Sequence, residues 1–145
     1  MKTNYLIKTI FILSLLTLSV FTFGQGKGEV LKKAIMEATG GKASKQSDSI
    51  KLKIPSIAEN GAFVPVVVET PESINGKRVN RIVVLVDNNP NPRVLDASFV
   101  EGTLPYISSR IRLGKSSKVR AYVVTEGGDT YEIVKSSKVT IGGCG

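Results

Sequence analysis

The chain has 145 residues, 41% of them hydrophobic, with one cysteine, no histidine and no tryptophan. That length fits one domain with a sizeable core; the lone cysteine excludes an internal disulfide, and the missing histidine excludes a Cys–His nucleophile pair. The formal net charge of +8 comes from basic residues spread along the chain, and with so few aromatics to stack on bases this argues against a nucleic-acid binder.

The first segment stands apart from the core. Lys2 and Lys8 flank the start of an apolar run from Thr9 to Phe21, and the small residues Thr22 and Gly24 suit the −3 and −1 positions of a cleavage site. Residues 1–24 therefore read as a secretory signal peptide. The apolar run is shorter than the roughly 20 residues a spanning helix needs, so no stable membrane insertion is expected after cleavage. Absence of a twin arginine points to the general secretory route into the periplasm, and absence of a cysteine behind the run argues against a lipoprotein. Cleavage removes Lys2 and Lys8 and no acid, lowering the formal charge from +8 to +6. A basic surface of that size steers acidic partners or small anions, or simply keeps the protein soluble.

Residues 25–48 are expected to form an N-terminal helix and a linker. "GEVLKKAIMEATGG" places Val30, Leu31, Ala34, Ile35 and Ala38 at helical spacing and closes on Gly40-Gly41. "KASKQSDS" is polar and reads as linker. From there to residue 141 every signal is β. "IKLKI" alternates Ile50, Leu52 and Ile54 with lysines and stops at Pro55, and Asn60-Gly61 marks a turn. "VPVVVE", "RIVVLVD", "RVLDASFV", "YISSRIRLG", "SKVRAYVVT", "TYEIVK" and "SKVTI" follow, with a hairpin at Gly127-Gly128. About eight short strands without intervening helices predict an all-β, antiparallel β-sandwich over residues 49–141. The segment "IVVLV" at 82–86 is apolar on both faces, and Val64–Val68 nearly so, so each has an outer face that needs a cover. The helix would serve one. A partner subunit, or a loop over a central strand, would serve the other.

Little ordinary chemistry is visible. Metal ligation needs clustered Cys, His or carboxylates, and one Cys with no His makes a zinc or copper site improbable. "VDNNPNP" carries oxygen side chains, but its two prolines make it a turn-rich corner rather than a calcium loop. Glu59, Glu69 and Glu72 show no paired-carboxylate spacing, and no helix follows the glycine-rich ending to cap a phosphate. No catalytic residue and no metal site are assigned.

What remains is Cys144, in the terminal run Gly142-Gly143-Cys144-Gly145. The four residues span about 13–14 Å when extended, and glycines add freedom without bulk. A thiol in an oxidising compartment with no internal partner is expected to pair between chains or to react. Nothing around it lowers its pKa, and the chain-terminal carboxylate disfavours the thiolate, so it is a poor catalyst on its own domain. It suits delivery into another protein's active site, where disulfide or persulfide chemistry is reversible by exchange. A staple between two chains and an incidental cysteine are the other readings.

Beyond these arguments the residues resemble the SoxY family, the sulfur-carrier subunits of the bacterial thiosulfate-oxidising (Sox) system. "VTIGGCG" at the end, "IPSIAENGAFVPVVVE" at 54–69, "NNPNP" at 88–92 and "SSRIRLGKSSKVRAYV" at 108–123 occur in the family's order and cover essentially the whole mature chain. The resemblance implies an immunoglobulin-like sandwich paired with a SoxZ-like β subunit as a heterodimer. It implies that Cys144 covalently holds the sulfur intermediate, as an S-thiosulfonate or persulfide, with no other cofactor, and that Gly142, Gly143 and Gly145 make residues 142–145 a flexible, swinging carrier arm. The implied partners are a cytochrome c complex that conjugates thiosulfate to the thiol, a dimanganese hydrolase that releases sulfate, and either a sulfane dehydrogenase or another sulfur-removing step. This chain departs from the usual GGCGG tail by ending one glycine earlier, and from the twin-arginine signal that family members often carry.

The expectation is thus a non-catalytic, periplasmic sulfur carrier. A structural or adhesion-type sandwich stapled through Cys144 is the alternative, and bulky residues at Gly142 and Gly143 separate the two, since a staple tolerates them. A small-anion binding module using Arg110, Arg112 and Arg120 is a third class; those arginines read first as a solvated face.

Overall fold

The computed structural model describes residues 26–141. Helix α1 spans Lys27–Thr39. Strands β1 (Ser44–Gln46), β2 (Lys51–Lys53), β3 (Ile57–Asn60), β4 (Val64–Glu69), β5 (Ser73–Ile74), β6 (Lys77–Val86), β7 (Arg93–Ser98), β8 (Tyr106–Ile111), β9 (Ser117–Thr125) and β10 (Thr130–Ile141) follow. The large sheet runs β1-β10-β9-β6-β5, with β3 also on β10 and β7 also on β6; the small sheet runs β2-β4-β8. The two pack face to face as an immunoglobulin-like sandwich.

The pattern of apolar residues explains the layers. Val64, Val66 and Val68 of β4 meet Ile82, Val84 and Val86 of β6 and Val119, Ala121 and Val123 of β9 in one core, with Leu52, Ile111 and Leu113. The other face of β6 is apolar as well, and α1 covers it: Ala34 and Ala38 pack on Val83, Leu85 and Tyr122. Two alanines on that stripe let the helix backbone come close to the sheet. Gly40 ends the helix in the left-handed region at φ 62°, and the Gly41 N–H donates to the Met36 carbonyl at 2.9 Å. The expected cover for the outer face of β6 is therefore the helix. On β4 Pro65, Val67 and Glu69 point away from the core, Pro65 exposed and the other two half-buried.

Several expectations need correction. "KASKQSDS" is not only a linker: Ser44–Gln46 pairs in parallel with Thr130–Glu132 of β10. β3 also pairs with β10 in parallel, so the sandwich is antiparallel except at that edge. "TYEIVK" and "SKVTI" form one 12-residue strand, because Ser136 and Ser137 stay in register with Lys118 and Ser117. β5 was not expected. Its signal was the dipeptide Asn75-Gly76, whose φ values of 51° and 74° are those of a tight hairpin turn. The described strands thus number ten rather than about eight. The signal-peptide segment lies outside the described residues.

An ionic group ties the helix to the sheet. Arg81 grips both oxygens of Asp96 at 2.8 Å, and Arg93 bridges Glu37 of α1 at 3.4 Å and Asp96 at 3.6 Å. The hydrogen bond from Arg81 holds the Asp96 carboxyl below its ordinary value, against the opposing effect of burial. A depressed carboxylate contributes stability that is present above the unfolded-state value near 4 and is lost as pH falls through the folded one. Asp96→Asn is expected to lower stability at pH 7 by less than about 1 kcal/mol, since both partners are near a third exposed and water screens them. Urea unfolding of wild type and variant should therefore begin to converge as pH falls below about 4 and continue to do so as it passes the lowered folded-state value.

Candidate functional site

Cys144, Gly142, Gly143 and Gly145 lie outside the described residues; what the structure shows is the platform from which they depart. β10 carries the chain to Ile141, and the last residues of that strand are held from both edges. β9 accompanies β10 only as far as the pair Ser137↔Ser117. Beyond it, β3 supplies one edge in parallel register, Lys138↔Ile57, Val139↔Ala58 and Ile141↔Asn60. The Lys138 N–H donates to the Ser56 carbonyl at 2.8 Å, and the Gly61 N–H donates to the Ile141 carbonyl at 2.9 Å. Side chains add to this. The Thr140 hydroxyl donates to the Glu59 carbonyl at 2.9 Å, and the buried Ser137 hydroxyl donates to the Pro55 carbonyl at 2.7 Å.

The opposite edge is served by a side chain. The Val139 N–H donates to Ser116 Oγ at 2.9 Å. Ser116 is fixed in turn by "NNPNP": Asn88 Nδ2 donates to the Ser116 carbonyl at 2.8 Å, and the Asn88 N–H donates to Ser117 Oγ at 3.0 Å. Asn89 Nδ2 donates to the Arg112 carbonyl at 2.8 Å while its Oδ1 accepts the Gly114 N–H at 3.1 Å. The Leu113 N–H then donates to the Gly61 carbonyl at 2.8 Å. The three internal stretches that carried the resemblance, far apart in sequence, thus meet at one end of the sandwich around the end of β10. Sequence reasoning named them without giving them this task. The available signal was the pair of amides ahead of Pro90 and Pro92, residues that bond backbone in turns.

Asn89 closes two of these bonds from one short side chain. Asn89→Ala is expected to destabilise by about 1–3 kcal/mol, because it strips partners from two backbone groups at once. A chemical-denaturation midpoint measures this, and a change below 0.5 kcal/mol would show the corner to be held by its prolines instead.

The three arginines considered for anions do not converge. Arg110 is exposed on the outer face of the small sheet, whereas Arg120 lies on the outer face of the large one. Arg120 is also committed, reaching both oxygens of Asp87 at 2.8 and 2.9 Å, which raises its pKa. A shared anion site is thereby overturned. Glu69 pairs with Lys53 at 2.6 Å. Among the described residues no group of three or more Cys, His, Asp or Glu could hold a metal ion.

Solved structures place the architecture. The chain shares its fold with the superoxide reductase neelaredoxin of Ignicoccus hospitalis, at 19% identity and TM-score 0.53, covering 63% of this chain and 80% of that one. The superoxide reductase of Nanoarchaeum equitans is similar at 11% identity and TM-score 0.51, covering 65% and 99%. At such identities the fold alone is shared. No curated protein sequence matches. The sulfur carrier protein SoxY from Chlorobium limicola f thiosulfatophilum is 36% identical over 79% of this chain and 99% of that one, with TM-score 0.66. That identity, over 79% of this chain, makes it an immunoglobulin-like domain of the sulfur-carrier class. The family model for sulfur oxidation protein SoxY matches residues 35–144, and the chain belongs to the SoxY family.

Proposed function

We propose that this protein is a periplasmic covalent sulfur carrier in thiosulfate oxidation, with Cys144 as the attachment point on an arm formed by Gly142, Gly143, Cys144 and Gly145. The observation that carries the reading is the family match, which runs through to Cys144. The doubly braced end of β10 agrees with it, since a short arm needs a rigid base.

The chemistry follows from the thiol. The Cys144 thiolate and thiosulfate join through a new S–S bond, giving an S-thiosulfonate and two electrons, which a c-type cytochrome complex accepts. Water then cleaves the terminal sulfonate as sulfate with release of two protons, leaving a persulfide on Cys144; a dimanganese hydrolase performs this step. A sulfane dehydrogenase coupled to an electron acceptor, or another sulfur-removing step, then deals with the remaining sulfane sulfur. The domain supplies no acid, base or metal to these steps. It presents the cargo, and each partner provides the electrostatics.

A SoxZ-like β subunit completes the carrier as a heterodimer. Since α1 occupies the outer face of the large sheet, the outer face of the small sheet is the one open to it, with Pro65, half-buried Val67 and Tyr106, which is 47% exposed. The test is intact mass of protein isolated from periplasm, with and without reductant, beside a Cys144→Ser variant. Reductant-labile adducts of sulfur or sulfur oxyanions, absent from the variant, are expected. A covalent homodimer free of small adducts after thiosulfate and the cytochrome complex are supplied would replace the carrier by a staple.

A further inference from the structure

We propose that Ser116 is a positioning residue for the arm, setting the direction in which β10 delivers Gly142 and Cys144; this rests on the carrier reading above. The argument begins at the end of β9. Its last rung with β10 is Ser117↔Ser137, and the chain preceding Ser117 turns toward the corner at Asn88 and Asn89. Along β10 the N–H groups point alternately to either edge. That of Lys138 points to β3, where Ser56 accepts it, so that of Val139 points to the side β9 has left. Ser116 Oγ takes the place of the missing carbonyl and extends the ladder by one rung. The backbone that carries the hydroxyl is held from behind by Asn88, which donates to the Ser116 carbonyl and to Ser117 Oγ.

The mechanical consequence is specific. With the rung present, the strand end is held by β3 along one edge and at Val139 on the other. Without it residues 138–141 keep the β3 pairing and the packing of Val139 on the core but lose their hold on the second edge, so the strand end is freer to tilt about the Ser117↔Ser137 pair. Cys144 lies three residues past Ile141, at most about 10–11 Å along the chain. A tilt of roughly 10° at the end of β10 therefore shifts the volume the arm sweeps by about 2 Å at that distance. Misplacement of a reacting atom by about 1 Å can reduce rates as much as a hundredfold.

The experiment compares Ser116→Ala and Ser116→Thr in the full chain with its β subunit, by three readouts. Amide hydrogen exchange at Val139 should speed up in Ser116→Ala and return toward wild type in Ser116→Thr, which keeps the hydroxyl. Alkylation of Cys144 by iodoacetamide, which diffuses to the thiol and needs no aim, should change less than about twofold. Thiosulfate-dependent cytochrome c reduction by the reconstituted system should lose about tenfold in kcat/KM for the carrier in Ser116→Ala, with Thr restoring most of it. Unchanged turnover in Ser116→Ala overturns the proposal, as does a loss of alkylation parallel to the loss of turnover, or failure of Thr to rescue. Cys144→Ser in the same assay separates the two layers of inference. If that variant turns over normally, the carrier reading fails; if it is dead while Ser116→Ala is fully active, only the positioning role fails.

Discussion

Cys144→Ser is expected to bring thiosulfate-dependent cytochrome reduction down to background, a loss of about a thousandfold or more, with the folded domain intact. The reason is chemical. Sulfur forms and releases S–S bonds by exchange at neutral pH, whereas the serine hydroxyl cannot form the S-thiosulfonate or the persulfide. Stability should not change, because both core clusters and the strand that ends at Ile141 are built from residues ahead of position 144 in the chain. The pair of measurements is a steady-state assay in the complete system and a thermal melt. Retained turnover would remove Cys144 from the chemistry, and a lowered melting temperature would make it structural. Gly142→Val together with Gly143→Val refines the result. A carrier arm that must enter a recessed site loses turnover under that change, and an interchain staple does not.

The second large effect concerns the base of the molecule. Tyr122→Ala is expected to destabilise by about 3–5 kcal/mol, the range for deleting a buried aromatic. Tyr122 is 1% exposed and lies under α1 among Ala34, Ala38, Val83 and Leu85. Neither alanine can reach down to fill the cavity, so the helix loses much of what it sits on. Burial, with the charge of Glu132 nearby, pushes the phenol up to about 12. A phenol kept neutral in the folded state makes stability fall as pH rises from about 10, where the unfolded chain ionises, to about 12. Tyr122→Phe should therefore lose only about 1 kcal/mol at pH 7 and should lack that alkaline decline. Urea denaturation at pH 7 and near pH 11 measures both. A loss under 1 kcal/mol for Tyr122→Ala would mean that α1 is an appendage rather than part of the core.

Much of this protein was legible in its sequence because the signals are local. The spacing of Val30, Leu31, Ala34, Ile35 and Ala38 announced the helix, and alternation or β-branched runs announced the longer strands. The two-faced run Ile82–Val86 announced that one face of β6 needed a cover, and α1 is that cover. Residue counting alone brought Cys144 forward, since a chain with one cysteine and no histidine has few chemistries left. Tertiary structure decided what depends on residues distant in the chain. Ser44–Gln46 is strand only because β10 offers it an edge, a pairing across 86 positions that no local pattern encodes. Ser136 and Ser137, polar enough to suggest a break, continue β10 because β9 pairs with them throughout. The arginines at 110 and 120 looked like one set along the chain, and the sandwich puts them on opposite faces. Asn88, Asn89, Ser116 and Gly61 had no visible common purpose until folding brought three loops to the end of β10. Hydrogen bonds between such loops are short-ranged in space and unconstrained in sequence separation, so only the folded chain reveals the base on which its cysteine is carried.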